Sequence, residues 1–166
     1  MKSLLVMRHA KSSWRNSHLS DHDRPLNKRG KRDAPRMGAL LAARDLLPEI
    51  VLCSSAERAH DTALRMAIES GLELDLIHTL PRLYHADTSD YLEALGLLPD
   101  GVARAMVVGH NPGLEDLVET LGGGWERMPT AAVAHIELPI AAWSELSDET
   151  EGRLVELWLP RELSGA

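Results

Sequence analysis

Short apolar runs recur along the chain, and segments with helical periodicity separate them. Most of these runs lack alternation between polar and apolar positions, which is typical of strands that are buried on both faces of a parallel sheet. Glu137 and Glu156 interrupt the last two runs, so we expect this closing pair to have one face open to water. The pattern predicts six strands, at residues 2–7, 50–53, 74–78, 105–108, 132–138 and 153–159.

The segments between the apolar runs predict four helices. Asn27 is a suitable N-cap for a helix that extends to about Arg44. A second helix, from 56 to about 69, would be capped by Ser55 and end before Gly71. Because strands alternate with helices, we expect an α/β fold with three layers, in which helices cover both sides of a mostly parallel sheet. The other two helices are predicted at about 89–98 and 113–121.

Length and composition are those of one folded domain that spans residues 1–166. The chain is 44% hydrophobic and 26% charged, a balance that differs from that of disordered chains. Its single cysteine, Cys53, cannot form an internal disulfide, and the first apolar run is too short for a signal peptide. We therefore expect a cytoplasmic protein that does not associate with membranes.

The formal net charge of −7 argues against binding to nucleic acids, because the attraction to phosphate that drives such binding would be a repulsion. The basic residues are unevenly placed, however, and many of them lie between Arg8 and Arg44. A local positive site on an acidic molecule is therefore compatible with the sequence. For Lys28, Lys31 and Arg32, we prefer the interpretation that they form a solvated helix face.

The candidate chemistry lies just after the predicted strands. Ligands of open α/β sheets gather beyond the carboxyl ends of the strands, and three such ends carry arginine or histidine. Arg8 and His9 follow the first run, Arg58 follows the second, and His110 follows the run that ends at Val108. Guanidinium groups match phosphate oxygens in a bidentate manner. The four residues together therefore predict a phosphoryl site, although each of them alone has little specificity.

Histidine in such a site has more than one use. It could only bind phosphate, or its neutral ring nitrogen could attack phosphorus, which requires a backbone carbonyl to hold the proton on the other nitrogen. A metal site is the main competing use. His18 and His22 are four residues apart, but loop-forming residues surround them, and ligands at other recognised spacings are missing. We therefore expect neither a metal ion nor another cofactor.

The residues at these strand ends resemble a known family. Arg8-His9-Ala10 is similar to the Arg-His-Gly signature of the histidine phosphatase superfamily, which includes the phosphoglycerate mutases. More closely, the chain resembles the SixA-type phosphohistidine phosphatases, with motifs in the same order over nearly the whole chain. These motifs are MRHAKSSW (7–14), DRPLN with RG (23–30), SS with RA and T (54–62), LYHA (83–86), VGHNPG (108–113) and MPTA (128–131).

The resemblance implies a phosphoglycerate mutase-like fold and a metal-independent reaction. It implies that His9 is the nucleophile that becomes phosphorylated, while Arg8, Arg58 and His110 hold the phosphoryl oxygens. Many relatives also carry a glutamate that acts as general acid in the loop after the third strand. The corresponding loop of this chain, residues 83–87, has no glutamate.

Two residues of that loop are candidates to replace the missing acid, although His85 is also interpretable as a surface residue and Asp87 as a helix cap. Acid catalysis is needed less when the leaving group is an imidazole, whose conjugate acid has a pKa of about 6.5, than when it is an alkoxide. The sequence thus favours phosphohistidine as the substrate. Three polar residues near the signature are further candidates for binding phosphate: Lys11, Arg15 and Asn16.

The sequence predicts a phosphatase that acts on phosphohistidine in a protein, for example a histidine phosphotransfer domain. The absence of long insertions leaves little material for a lid over a small metabolite, which agrees with a protein substrate. Two alternatives remain: a phosphomonoesterase that acts on a small phosphorylated molecule, and a module that binds phosphate without turnover.

Overall fold

A six-stranded sheet forms the centre of the computed structural model, which describes residues 1–163. The strands are β1 (Lys2–Arg8), β2 (Ile50–Ser54), β3 (Ile77–Leu80), β4 (Arg104–Gly109), β5 (Val133–Leu138) and β6 (Arg153–Trp158). Their spatial order is β3-β2-β4-β1-β5-β6. The four strands β1 to β4 run parallel to one another, whereas β5 is antiparallel to both β1 and β6.

Four α-helices cover the two faces of this sheet: α1 (Lys28–Ala43), α2 (Glu57–Ser70), α3 (Thr88–Gly96) and α4 (Gly113–Gly122). Alternate residues of β1 face opposite sides, because successive side chains of a strand point in opposite directions. Leu4 belongs to the apolar cluster beneath α3 and α4, and Leu5 belongs to the cluster beneath α1 and α2. The predicted three-layer α/β fold with a mostly parallel sheet is therefore confirmed.

The ends of the helices follow local capping chemistry. The side chain of Asn27 accepts a hydrogen bond from the Gly30 amide at 2.9 Å, as predicted for the start of α1. At the end of α2, Gly71 adopts a φ of 80°, a left-handed conformation that favours glycine. Except for the third strand, all predicted strands and helices agree with the structure to within two residues.

The prediction for the third strand was wrong by three residues. Leu74–Leu76 forms a short 3₁₀ turn, and β3 begins at Ile77, where it pairs with Val51 of β2. This strand lies at the edge of the sheet, so its exposed residues His78 and Thr79 are polar and break the apolar run. The first apolar residues of the predicted strand therefore belong to the turn that precedes β3.

The prediction that Ser55 caps α2 was also wrong. Ala56 occupies the N-cap position and provides no side-chain hydrogen bond. The hydroxyl of Ser54 instead accepts the Ala56 amide at 3.2 Å, and Ser55 contacts the ring of His22. Among residues 1–163, no helix combines the length and apolar character that crossing a bilayer requires.

Candidate active site

The carboxyl ends of β1, β2 and β4 meet at one edge of the sheet and carry the predicted site residues. Arg8 ends β1 and His9 follows it, Arg58 lies in the first turn of α2, and His110 follows β4. All four side chains border one cavity of about 230 Å³. The complete lining consists of Arg8, His9, Lys11, Ser12, Trp14, Arg24, Arg58, His110, Asn111 and Thr130.

The ring of His9 is buried and fixed by the backbone around it. Its Nδ1 donates a hydrogen bond to the carbonyl oxygen of Ala10 at 2.8 Å, which leaves Nε2 as the unprotonated nitrogen. Burial, the largest cause, lowers the pKa of His9 to about 3, and the nearby charges of Arg58 and Arg8 act in the same direction. At neutral pH the ring is therefore uncharged, with the tautomer that a nucleophile needs.

Thr62 of α2 holds the segment after His9 in place. Its hydroxyl accepts the Ala10 amide at 2.9 Å and donates to the carbonyl oxygen of Arg58 at 2.7 Å. The amide of His9 donates to Gly109 at 3.0 Å, which ties the segment to β4. The nucleophile candidate is thus connected by hydrogen bonds to two of the elements that carry the other site residues.

Several buried nitrogen atoms of the cavity residues lack a hydrogen-bond partner within residues 1–163. They are Nε of Arg8, Nε of Arg58 and Nδ1 of His110. Burying a donor without a partner costs roughly 1–3 kcal/mol. These atoms have almost no accessible surface, so the fit to a phosphoryl group comes instead from the two arginines and two histidines that border the cavity.

His110 is positioned by a hydroxyl from the neighbouring strand. Its Nε2 lies 2.7 Å from Oγ of Ser54, and its ring centroid lies 5.1 Å from that of His9. Burial, followed by the charge of Arg58, lowers the pKa of His110 to about 4. A neutral His110 carries one ring proton, and donation from the Ser54 hydroxyl to Nε2 would place that proton on Nδ1.

Asp21, which no sequence motif indicated, accepts hydrogen bonds from two arginines that line the cavity. The carboxylate of Asp21 accepts hydrogen bonds from Tyr84 at 2.5 Å, Arg58 at 3.0 Å and Arg24 at 3.1 Å. These donors, of which the Tyr84 hydroxyl has the largest effect, hold the pKa of Asp21 well below its usual range. Asp21 is therefore an ionised acceptor at neutral pH and not a proton donor.

The two candidates for a general acid lie outside the cavity lining. The side chain of Asp87 accepts the Asp90 amide at 3.1 Å and caps α3, which matches the interpretation of this residue as a helix cap. His85 is exposed and packs on the ring of Tyr84, with 4.0 Å between the ring centroids. Neither side chain therefore forms part of the cavity wall.

The remaining candidates are divided between the cavity and its surroundings. Lys11 lines the cavity, whereas Arg15 lines a neighbouring groove and the side chain of Asn16 accepts the His18 amide. His22 contacts Asp23 and Ser55. In the part of the chain that the structure describes, no group of three or more His, Cys, Asp or Glu side chains could hold a metal ion.

Together, the fold and the cavity define an α/β protein of the phosphoglycerate mutase-like class with a cationic, histidine-containing pocket. The chain belongs to the histidine phosphatase superfamily (branch 1), whose model matches residues 4–90. Two relatives in sequence cover most of the chain. An uncharacterized chloroplastic protein of Arabidopsis thaliana is 30% identical over 87% of this chain and 70% of its own length. An uncharacterized protein of Mycobacterium leprae is 32% identical over 93% of this chain and 100% of its own length.

Solved structures extend the likeness to SixA proteins. A candidate phosphohistidine phosphatase SixA from Agrobacterium tumefaciens matches with a TM-score of 0.79 and 26% identity, over 96% of this chain and 98% of that chain. The protein histidine phosphatase SixA in complex with tungstate matches with a TM-score of 0.81 and 26% identity, over 96% and 97% of the two chains. These findings confirm the predicted resemblance and support a phosphatase.

Proposed function

We propose that this protein releases phosphate from phosphohistidine in proteins, through a phosphohistidine intermediate on His9 and without a metal ion. The observation that carries the proposal is the hydrogen bond from Nδ1 of His9 to the Ala10 carbonyl, beside two arginines and a second histidine that border the same cavity. The first feature prepares Nε2 for attack, and the second supplies donors for the oxygens of the group that is attacked.

The proposed reaction has two displacements at phosphorus. In the first, the lone pair of His9 Nε2 forms a bond to phosphorus, while the bond from phosphorus to the protonated imidazole of the substrate breaks and that imidazole leaves as a neutral ring. In the second, a water oxygen bonds to phosphorus, the bond to Nε2 breaks, and one water proton is released with the phosphate. Arg8, Arg58 and His110 would stabilise the charge on the phosphoryl oxygens in both steps.

The side chains around the cavity favour a leaving group that needs no protonation within the site. Among the described residues that line the cavity, none is Asp or Glu. Asp21, which lies next to it, is kept ionised by its three hydrogen-bond donors. An alkoxide would leave poorly from such a site, whereas a protonated phosphoimidazole releases a neutral ring.

A protein substrate agrees with the shape of the site. The cavity holds about 230 Å³, less than the range of roughly 300–1,000 Å³ that is common for small-molecule pockets, and Trp14 on its lining is 73% exposed. A histidine phosphotransfer domain is the kind of partner that would present a phosphohistidine to a shallow site. One observation favours the alternative of a small phosphorylated metabolite. Lys11 lines the cavity and has no ion-pair partner among the described residues, so its charge is available to a second anionic group of such a molecule.

The test is phosphate release from a phosphohistidine-bearing protein in the presence of chelator. We expect wild type to release phosphate and to form a trappable phosphoenzyme, and His9→Ala to lose more than about a thousandfold in rate. His18→Ala is the matched control, because His18 is exposed and outside the cavity lining.

Each alternative predicts a different result. Loss of release on adding chelator would contradict the metal-free reaction. If wild type hydrolysed only phosphomonoesters, the substrate would be a small phosphorylated molecule. If wild type bound phosphate but gave neither turnover nor phosphoenzyme, the protein would be a binding module.

A further inference from the structure

A groove next to the catalytic cavity concentrates positive charge on an otherwise acidic protein. We call it the basic groove. It has a volume of about 510 Å³, and four of its eight lining residues are Lys or Arg. The chain as a whole has a net charge of −7, so the positive charge of the groove is a local feature of the surface. Its lining consists of Ser13, Arg15, Pro25, Leu26, Asn27, Lys28, Arg29 and Lys31.

The basic groove and the cavity are built on the same pair of chain segments. Residues 11–15 and 24–28 run side by side: the Ser13 amide donates to Pro25 at 2.8 Å, and the Asn27 amide donates to Lys11 at 3.0 Å. Lys11 and Trp14 contribute to the cavity, whereas Ser13 and Arg15 contribute to the groove. A molecule that reaches into the cavity from this side would therefore lie next to the groove.

Most of the charges of the groove are not neutralised within the molecule. Arg29 lies 3.5 Å from the carboxylate of Asp33, which is buried. Arg15, Lys28 and Lys31 have no ion-pair partner within residues 1–163. These three cations remain available to a charged partner.

The position of the cations in α1 is unfavourable for the helix itself. Lys28, Arg29 and Lys31 lie in its first turn, and no acidic residue accompanies them there. The N-terminus of a helix carries partial positive charge, so a cation in the first turn destabilises the helix and an acidic residue would stabilise it. Helix stability therefore does not explain Lys28 and Lys31, whereas Arg29 has an ion-pair partner in Asp33 one turn further along the helix.

We propose that the basic groove binds acidic side chains that flank the phosphohistidine of a protein substrate. This inference rests on the proposed function and adds to it the chemistry by which the substrate is selected. The exposed ring of Trp14, with the Arg24 guanidinium 3.4 Å from its centroid, provides a rigid apolar surface for the same partner.

The test compares phosphohistidine peptides that differ only in the residues around the histidine, with glutamates in one and serines in the other. At low salt we expect wild type to prefer the acidic peptide by about tenfold in kcat/KM, the scale of two or three exposed ion pairs. The preference should shrink as ionic strength rises, because salt screens exposed charges.

The decisive variant is Lys28→Glu combined with Lys31→Glu, in which the preference for the acidic peptide should disappear. This variant should fold, because glutamate is favoured in the first turn of a helix. The matched control is Arg44→Glu, since Arg44 is exposed at the other end of α1, about 20 Å away by the rise of the helix. Arg44→Glu lowers the net charge by two, as Lys28→Glu does alone, so these two single variants are compared directly: Lys28→Glu should weaken the preference and Arg44→Glu should keep it.

The outcomes separate the groove from the reaction. If wild type releases phosphate from both peptides equally, or if Lys28→Glu with Lys31→Glu keeps the preference, docking at the groove is wrong and the proposed function stands. If wild type acts on neither peptide, the proposed function fails and the docking proposal fails with it. Tighter binding of a single-stranded RNA than of the acidic peptide, lost in the double variant, would assign the groove to nucleic acid and overturn the proposal.

Discussion

At the scale of single residues, different side chains of the cavity provide the positive charge and the lone pair that attacks phosphorus. The arginines carry the charge, and His9 carries the lone pair. Burial keeps His9 and His110 neutral, with pKa values of about 3 and 4, while the arginines supply the positive charge. A neutral nucleophile is consistent with attack on phosphorus. A neutral His110, however, donates from only one nitrogen, so its tautomer decides whether it can bind a phosphoryl oxygen.

Ser54 is the residue that we expect to select this tautomer. In Ser54→Ala, Nε2 of His110 loses its partner at 2.7 Å, the ring proton is free to move to Nε2, and the donor at Nδ1 is lost. We expect kcat/KM to fall by about tenfold, the effect of roughly one hydrogen bond. Nitrogen NMR of His110 should show the change of tautomer directly.

Two variants control this prediction. Ser55→Ala removes the adjacent hydroxyl, which contacts His22 and not His110, and should leave the His110 spectrum unchanged. Ser54→Thr keeps a hydroxyl and should restore most of the rate. A normal His110 tautomer in Ser54→Ala would show that the serine has no such role.

At the scale of elements, the close packing of α1 on the segment after His9 determines where that segment lies. A Cβ atom added at Gly30 would come within 2.2 Å of the carbonyl oxygen of Lys11, which is backbone and cannot move alone. We expect Gly30→Ala to cost about 1–3 kcal/mol in the free energy of unfolding, as overpacking does, and to lower the rate by displacing Lys11.

A second glycine of the same helix separates these two effects. A Cβ atom at Gly38 would lie 2.3 Å from the carbonyl oxygen of Met66, at the contact between α1 and α2. Urea unfolding should show a similar loss of stability for Gly38→Ala, with a smaller loss of rate. Equal rate losses for equally destabilised variants would contradict a special role for the contact at Gly30.

The elements also show why the sequence predicted one part of the site and not another. The central strands have continuous apolar runs, so their ends, and with them His9 and His110, could be located from the pattern. Asp21 and Tyr84 lie in irregular segments that are 63 positions apart, and their hydrogen bond depends on how the chain closes. No local spacing predicts such a contact, so the network around Asp21 had to come from the structure.

At the scale of the whole molecule, the two neutral histidines of the cavity make stability depend on pH. In the unfolded chain, histidine takes up its proton near pH 6.5, whereas in the folded protein the pKa of His9 is about 3. Between these values the unfolded state binds more protons, so stability is complete above about pH 6.5 and decreases as the pH falls. The lowered pKa of Asp21 acts only in a more acidic range, below about pH 4.

Urea unfolding at neutral and mildly acidic pH tests this dependence. From about pH 7 to about pH 5, His9 alone should remove about 1–2 kcal/mol from the free energy of unfolding. His9→Gln has no titrating ring at this position, so its loss over the same range should be smaller by that amount, whatever its stability at neutral pH. An equal loss in both proteins would mean that His9 is protonated as readily in the folded state as in the unfolded chain, and the neutral nucleophile on which the proposed reaction depends would then be wrong.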